Sequence, residues 1–277
     1  MHELIYDVGM NNGDDSAFYL ARGFRVVAIE ADPSLAVAGR ERFSREIGDG
    51  RLTLLNVGVA AEEGEAEFWI CETKNEWNSF DRSIASRDNS PHHAIRIPTR
   101  PFGTILQEFG VPHYLKVDIE GQDSHCLAEL LTLRQKAMPR YISWEHDGEL
   151  GPLETVRRLG FSRFKLIDQS TFSPITARLS VPNVIDSVAR HAIRRLRRVS
   201  LPGSRVVQDT LTHRGRLERR FGREFPMGSS GPWGDEMPGR WLSFGEAREL
   251  LNYSRSESED KPGRPAHSFW CDWHAAT

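Results

Sequence analysis

Two rhythms alternate along the first 170 residues. Runs at 25–31 (RVVAIEA), 52–60 (LTLLNVGVA), 114–119 (YLKVDI) and 141–145 (YISWE) are rich in β-branched and aromatic residues and predict short strands. Residues 3–8 and 164–167 read the same way. Between them, 14–22, 34–47, 103–109, 123–133 and 154–159 carry helical spacing, with Gly23 as the stop of the first helix. Residues 65–71 (EAEFWIC) alternate polar and apolar, and 94–99 do likewise, which predicts edge or hairpin strands. Strand–helix alternation of this kind predicts an α/β fold, with a mostly parallel sheet covered by helices on both faces and right-handed crossovers.

Beyond residue 170 the rhythm changes. Residues 184–199 form an amphipathic pattern, with Ile185, Val188, Ala192, Leu196 and Val199 on one face and Arg190, Arg194, Arg195, Arg197 and Arg198 elsewhere. Residues 226–239 are rich in Gly and Pro and predict loop, 243–251 a short helix, and 252–265 a polar mobile stretch. The chain then closes with an aromatic strand at 268–273 (SFWCDW). The expected organisation is one domain over 1–277: a core at 1–169, an inserted elaboration at 170–267 and a closing strand at 268–275.

Composition narrows the classes. The chain has 277 residues, 27% charged and 39% hydrophobic, long enough for a full core and inconsistent with wholesale disorder. Lys and Arg (36) nearly balance Asp and Glu (39), so no global charge favours nucleic acid. Cys71, Cys126 and Cys271 are too sparse for a disulfide framework and fit no zinc spacing, which points to a reducing, cytoplasmic compartment. No signal peptide is visible, and no apolar run approaches the ~18 residues needed to span a bilayer. The arginines at Arg190–Arg198 leave two readings, a solvated face or a lid for an anionic acceptor or peripheral membrane contact.

The strongest chemical signal is Asp7-Val8-Gly9-Met10-Asn11-Asn12-Gly13, where the first strand meets the first helix. Glycines there let the backbone turn tightly and approach a ligand, and the helix start offers unpaired N–H groups. Glu30 ends the second strand, where a carboxylate accepts both hydroxyls of a ribose. In an open parallel sheet the ligand lies beyond the carboxyl ends of the strands, so Asp7, Glu30, Asn56, Asp118 and Glu145 are expected to ring one crevice. A dinucleotide site requires G-x-G-x-x-G. Here Asn11 stands between Gly9 and Gly13, and Asp7, Asp14 and Asp15 crowd the turn. Those acids oppose a pyrophosphate and suit a cationic ligand, favouring S-adenosyl-L-methionine over NAD.

At these residues the chain resembles the FkbM family of class I S-adenosylmethionine-dependent methyltransferases. The resemblance rests on DVGMNNG at 7–13, AIEADP at 28–33, NVGVA at 56–60, KVDIEG at 116–121 and FWCDWHA at 269–275. Met10-Asn11-Asn12 departs mildly from the family's usual motif. The resemblance implies a Rossmann-like three-layer sandwich with a mostly parallel seven-stranded sheet whose last strand is antiparallel. It implies S-adenosyl-L-methionine as cofactor, S-adenosylhomocysteine as product, and O-methylation of a sugar, polyketide or other secondary metabolite. It places Asp7, Gly9, Asn11 and Gly13 around the methionine moiety, Glu30 at the ribose, residues 56–58 (Asn56 and Val57 among them) near the adenine, and Ala31, Ser79 (in Asn78-Ser79-Phe80) and Asp118 beside the cofactor. A silent binding relative, a nicotinamide oxidoreductase and a nucleic-acid methyltransferase are the rival readings.

Methyl transfer to a hydroxyl needs in-line geometry and a base. Asp118, Glu120, Glu145, His146 and Asp147 follow strand ends and are the candidates, with Asp118, Glu145 and His146 taken as catalytic. The same set offers oxygen-rich ligands for Mg²⁺ or Mn²⁺, but its spacing is not diagnostic and no metal is assigned. His92, His93 and His113 read more simply as surface or loop residues; His125, one turn into the helix after Asp118, could face the crevice; the tryptophans read as core, with Trp144 and Trp233 the two to test for stacking on a sugar.

Overall fold

β1 (Leu4–Val8), α1 (Asp14–Ala21), β2 (Arg25–Ile29), α2 (Pro33–Arg42), α3 (Ser44–Gly48) and β3 (Leu52–Leu55) come first, each strand separated from the next by one or two helices. The computed structural model describes residues 3–132, 138–176, 212–259 and 270–277. The chain divides into two compact units: the first is Met1–Glu145, Gly151–Phe161 and Ala276–Thr277, the second His146–Leu150 and Ser162–Ala275. The amphipathic pattern at 184–199, with its arginines, lies outside the described residues. No helix among the described residues is long and apolar enough to cross a membrane.

The first unit continues with β4 (Gly58–Val59), β5 (Gly64–Cys71), α4 (Arg82–Ala85), β6 (His92–Arg100), α5 (Phe102–Phe109), β7 (Tyr114–Val117), α6 (Asp123–Leu130), β8 (Tyr141–Glu145) and α7 (Leu150–Arg158). Five strands pair in parallel in the order β8-β7-β1-β2-β3. The α/β expectation holds: a mostly parallel sheet flanked by helices. Every residue of β7 is buried, as are Ile5 to Val8 of β1, which is why these strands read as apolar runs broken by one charge each, Lys116 and Asp7, that pair with one another. From β1 the chain builds outward through β2 and β3, then returns to the other side of β1 with β7. That reversal makes the carboxyl ends of β1 and β7 the topological switch point, where open α/β sheets bind their ligands.

β5 and β6 form an antiparallel hairpin and β6 takes β4 as a parallel neighbour, a separate three-stranded sheet. The expected strand at 52–60 is therefore two strands in two sheets. Asn56 divides them: its Nδ2 donates to the carbonyls of Glu30 at 2.8 Å and Ala31 at 3.2 Å, holding the chain at the tip of β2. The expected helix at 34–47 is likewise broken, at Phe43, whose buried ring lies against Gly13.

In the second unit stand β9 (Arg163–Asp168), β10 (Ser173–Pro174), α8 (His213–Phe221), α9 (Phe244–Glu259) and β11 (Cys271–Ala276). β9 has β10 on one side and β11 on the other. Against the seven strands expected of the main sheet, five stand in the first unit and three in the second. α9 runs through much of the stretch expected to be mobile. Ser243 and Glu246 start it reciprocally, the Ser243 N–H donating to Glu246 Oε2 at 2.8 Å, and Leu250, Leu251 and Ser254 are buried along it. α8 was not expected from the sequence; Thr212 caps it by accepting from the N–H of Gly215 at 3.1 Å.

Candidate active site

The turn after β1 is fixed from both neighbouring strands. The N–H groups of Gly9 and Met10 both donate to Ile29 O at 3.0 Å, and Asp118 N–H donates to Val8 O at 2.9 Å. Gly9 has φ +85, and a Cβ on it would lie 1.8 Å from the carbonyl oxygen of Asp118. Only glycine fits where the two strand ends cross so closely. Asn11 takes a left-handed φ of 51 and turns its N–H onto Glu30 Oε2 at 2.7 Å.

Glu30 thus closes the turn from the tip of β2. Its other oxygen accepts from Asp32 N–H at 2.8 Å, and the side chain is buried. Burial pushes its carboxyl up to about 7, against the two backbone N–H groups that favour its charge. Asp32 caps α2 through Ser34 N–H and accepts from Asn78 Nδ2 at 2.9 Å. Asn78 also accepts from Cys71 N–H, and Ser79 Oγ donates to Glu120 O at 2.7 Å. The Asn78-Ser79 loop of the small sheet is therefore tied to the tips of both β2 and β7. Ala31 and Val57 flank Asn56 at these tips, with Val57 half-buried.

Beneath the turn lies a buried charge cluster. Lys116, on β7, places Nζ 3.2 Å from Asp7, 3.7 Å from Asp15, 3.4 Å from Asp118 and 3.3 Å from the carbonyl of Gly9. Burial alone would lower this ammonium, but the charges of Asp7, Asp118 and Asp15 outweigh it and hold it well above its ordinary range. Asp7, with no exposed surface, also accepts from Ser16 Oγ at 2.7 Å, so both its oxygens are engaged. Asp7 shapes the turn from below, whereas Asp118 is one-third exposed at the strand end.

Asp118, Glu120 and Glu145 each offer a carboxylate oxygen, and the three oxygens lie within 4.8 Å of one another. Asp123 sets this convergence: its Oδ1 accepts from Ile119 N–H at 2.9 Å and its Oδ2 from Glu145 N–H at 3.0 Å, pinning the ends of β7 and β8. Glu120 has a left-handed φ of 44 and pairs with Arg87 at 3.2 Å. Burial and then the charge of Asp118 push Glu120 up to about 8, against the pull of Arg87. Three hard oxygen donors at this separation could hold a divalent cation.

His146 belongs to the second unit, where its Nδ1 accepts from the indole N–H of Trp273 at 3.1 Å and its Nε2 lies 3.2 Å from Ser254 Oγ. Ser254 gives its own proton to Leu251 O at 2.7 Å, so Nε2 carries the hydrogen and the ring's lone pair faces Trp273. His93, His113 and His125 pair with Glu72, Glu3 and Glu129, and His92 packs on Trp69. Trp144 and Trp233 are buried.

The residues present fit the methyl donor. Each Glu30 oxygen accepts one backbone N–H and keeps a further lone pair, the complement of a ribose diol, and Asp118 is a one-third exposed carboxylate beside the Gly9 turn, the complement of a cationic ligand. Sequence reasoning missed Lys116, Asp123 and Arg87. A signal was available for the first: a lysine inside the apolar run YLKVDI must be paired if the strand is buried on both faces.

The sequence model described as Methyltransferase FkbM domain matches residues 7–161, more than half of the chain. No curated protein matches the sequence. Among solved structures, precorrin-6y C5,15-methyltransferase from Geobacter metallireducens GS-15 is similar at 12% identity over 60% of this chain and 68% of its own, with a TM-score of 0.34. That likeness is too slight to carry an argument.

Proposed function

The chain belongs to the FkbM family of S-adenosylmethionine-dependent methyltransferases, and from that premise we propose that it methylates a hydroxyl oxygen of a small molecule or glycan. The observation that carries the oxygen assignment is the convergence of Asp118, Glu120 and Glu145 at the strand tips. A hydroxyl must lose its proton as the new C–O bond forms, and a positioned carboxylate contributes roughly 10²–10⁴-fold.

S-adenosyl-L-methionine supplies an already activated methyl group on a sulfonium. What remains for the protein is to bind, align and take up a proton. Glu30, with Ala31, holds the ribose hydroxyls; Asn56 and Val57 border the adenine; Gly9, Asn11 and Gly13 shape the backbone around the methionyl portion, with Ser79 closing one side. Asp118 and Glu145 take the base role, since neither ring nitrogen of His146 offers an open lone pair. Burial and the charge of Asp118 favour the protonated form of Glu120, which removes its own repulsion from Asp118 and Glu145.

The test is transfer of deuterium-labelled methyl from the donor into a metabolite extract, with mass-spectrometric identification of the product. A labelled methyl ether is expected. A labelled amine, carboxylate or carbon would overturn the oxygen assignment, and binding of S-adenosylhomocysteine without any transfer would mark a silent relative.

A further inference from the structure

The second unit contains a row of buried polar side chains that the chemistry above does not use. Lys165 on β9 and Gln169 just past its end stand four apart, and Asp272 and His274 on β11 stand two apart, so each pair shares one face of its strand. The Nε2 of Gln169 donates to Asp272, which makes it one common face. All four side chains are buried.

The Gly- and Pro-rich segment 229–237 roofs this row. Ser230 Oγ donates to Asp272 at 3.1 Å, and Lys165 Nζ donates to the carbonyls of Gly234 at 3.2 Å and Met237 at 2.8 Å. Trp233 lies within the roof. Lys165 and Asp272 bring one charge of each sign to the row, and Asp235 and Arg163 act on Lys165 from outside it. Burial, with Lys165 adding to it, drives His274 down to about 3, so the imidazole is neutral and presents one N–H and one lone pair.

Under the roof, three polar atoms have no partner: Gln169 Oε1 and both ring nitrogens of His274. An unpaired buried polar group destabilises the fold, and native proteins keep few of them. Two acceptors and one donor, all on uncharged groups, complement the hydroxyls of a neutral polyol, each of which gives one hydrogen and accepts others.

We propose that the row Gln169–Asp272–His274 under the 229–237 segment is a binding site for a neutral, hydroxyl-rich molecule of the sugar class. As a statement about the acceptor it rests on the O-methylation reading; as a statement about binding it does not. Ligand hydroxyls donate to Gln169 Oε1 and to the bare nitrogen of His274, and a ligand oxygen accepts from the imidazole N–H. Entry requires the Ser230 and Lys165 bonds of the roof to open.

The test uses the full chain without methyl donor and a panel of glucose, mannose, rhamnose and their methyl glycosides, by saturation-transfer NMR up to 50 mM. Saturable binding of at least one sugar is expected, weakened at least tenfold in His274→Phe and in Gln169→Leu, and kept within about threefold in His274→Gln, which retains a donor and an acceptor. Because His274→Phe removes two unpaired polar atoms, its melting temperature is expected to equal or exceed that of the wild type. No saturable binding by any sugar overturns the proposal, as does equal binding by the wild type and His274→Phe. A fall of more than about 5 °C in His274→Gln also overturns it, since that would give the imidazole a structural role. Sugar binding without methyl transfer would leave this site standing and refute the acceptor assignment alone.

Discussion

Glu30→Gln separates the stability of the turn from its binding. An ordinary glutamate titrates near 4.5, and Glu30 titrates at about 7 in the fold because it is buried. Between those values the folded chain holds a proton that the unfolded chain has released, so stability falls as pH rises through that window and levels off above it. From pH 5 to pH 8 the loss assigned to this one group is about 2–3 kcal/mol, or about 5–10 °C in melting temperature for a chain of this size. The Gln variant has no charge to bury. Its amide does confront one of the N–H groups of Asn11 and Asp32, but that cost is independent of pH and drops out when slopes are compared. Thermal melts at half-unit steps from pH 5 to 8 are therefore expected to diverge, with Gln gaining on wild type as pH rises. At pH 8 the same variant is expected to bind S-adenosylhomocysteine about 10- to 100-fold more weakly by calorimetry, since a ribose diol needs two acceptors. Parallel melting profiles would refute the buried-carboxylate argument, and unchanged affinity would refute the ribose assignment.

Gly9→Ala is expected to abolish measurable binding of the methyl donor, because its Cβ would stand 1.8 Å from Asp118 O; calorimetry checks this. Lys116→Met leaves Asp7 and Asp15 buried without their cation and is expected to cost about 3–5 kcal/mol in urea unfolding, most of it recovered in Lys116→Met/Asp7→Asn. Asp123→Asn replaces one of two acceptors to backbone N–H groups and is expected to lose about 1–3 kcal/mol together with turnover, as the ends of β7 and β8 part. Activity in excess EDTA decides the role of the carboxylate cluster: unchanged turnover leaves Asp118 and Glu145 as proton acceptors, whereas a loss restored by Mg²⁺ makes them ligands.

The parallel strands of the first unit were legible because burial on both faces writes itself as continuous apolar sequence. The turn at Gly9 and the acid at Glu30 were legible because each is a local motif. What escaped was set by contacts distant in sequence. The division of 52–60 depends on Asn56 reaching back to the tip of β2, and the break at Phe43 on a ring lying against Gly13. α8 was hidden by its strongly polar sequence (HRGRLERRF) with a glycine inside, and the extension of α9 past Leu251 by its polar composition, in which a serine, Ser254, takes a buried position. Lys116 reads as one charge in a strand until three carboxylates from different segments close around it. The polar row of the second unit joins residues more than a hundred positions apart, a pairing that no local rhythm signals.

The Lys116 cluster also carries a timetable. Asp7 and Asp15 are made well before the cation that lets them be buried, which stands 109 residues after Asp7. A growing chain that has emitted β1, α1 and β2 holds the cofactor motif and cannot close it, because two carboxylates would enter the interior uncompensated. The turn after β1 must therefore wait for β7 before it takes its native form, although β1 and β2 are made long before.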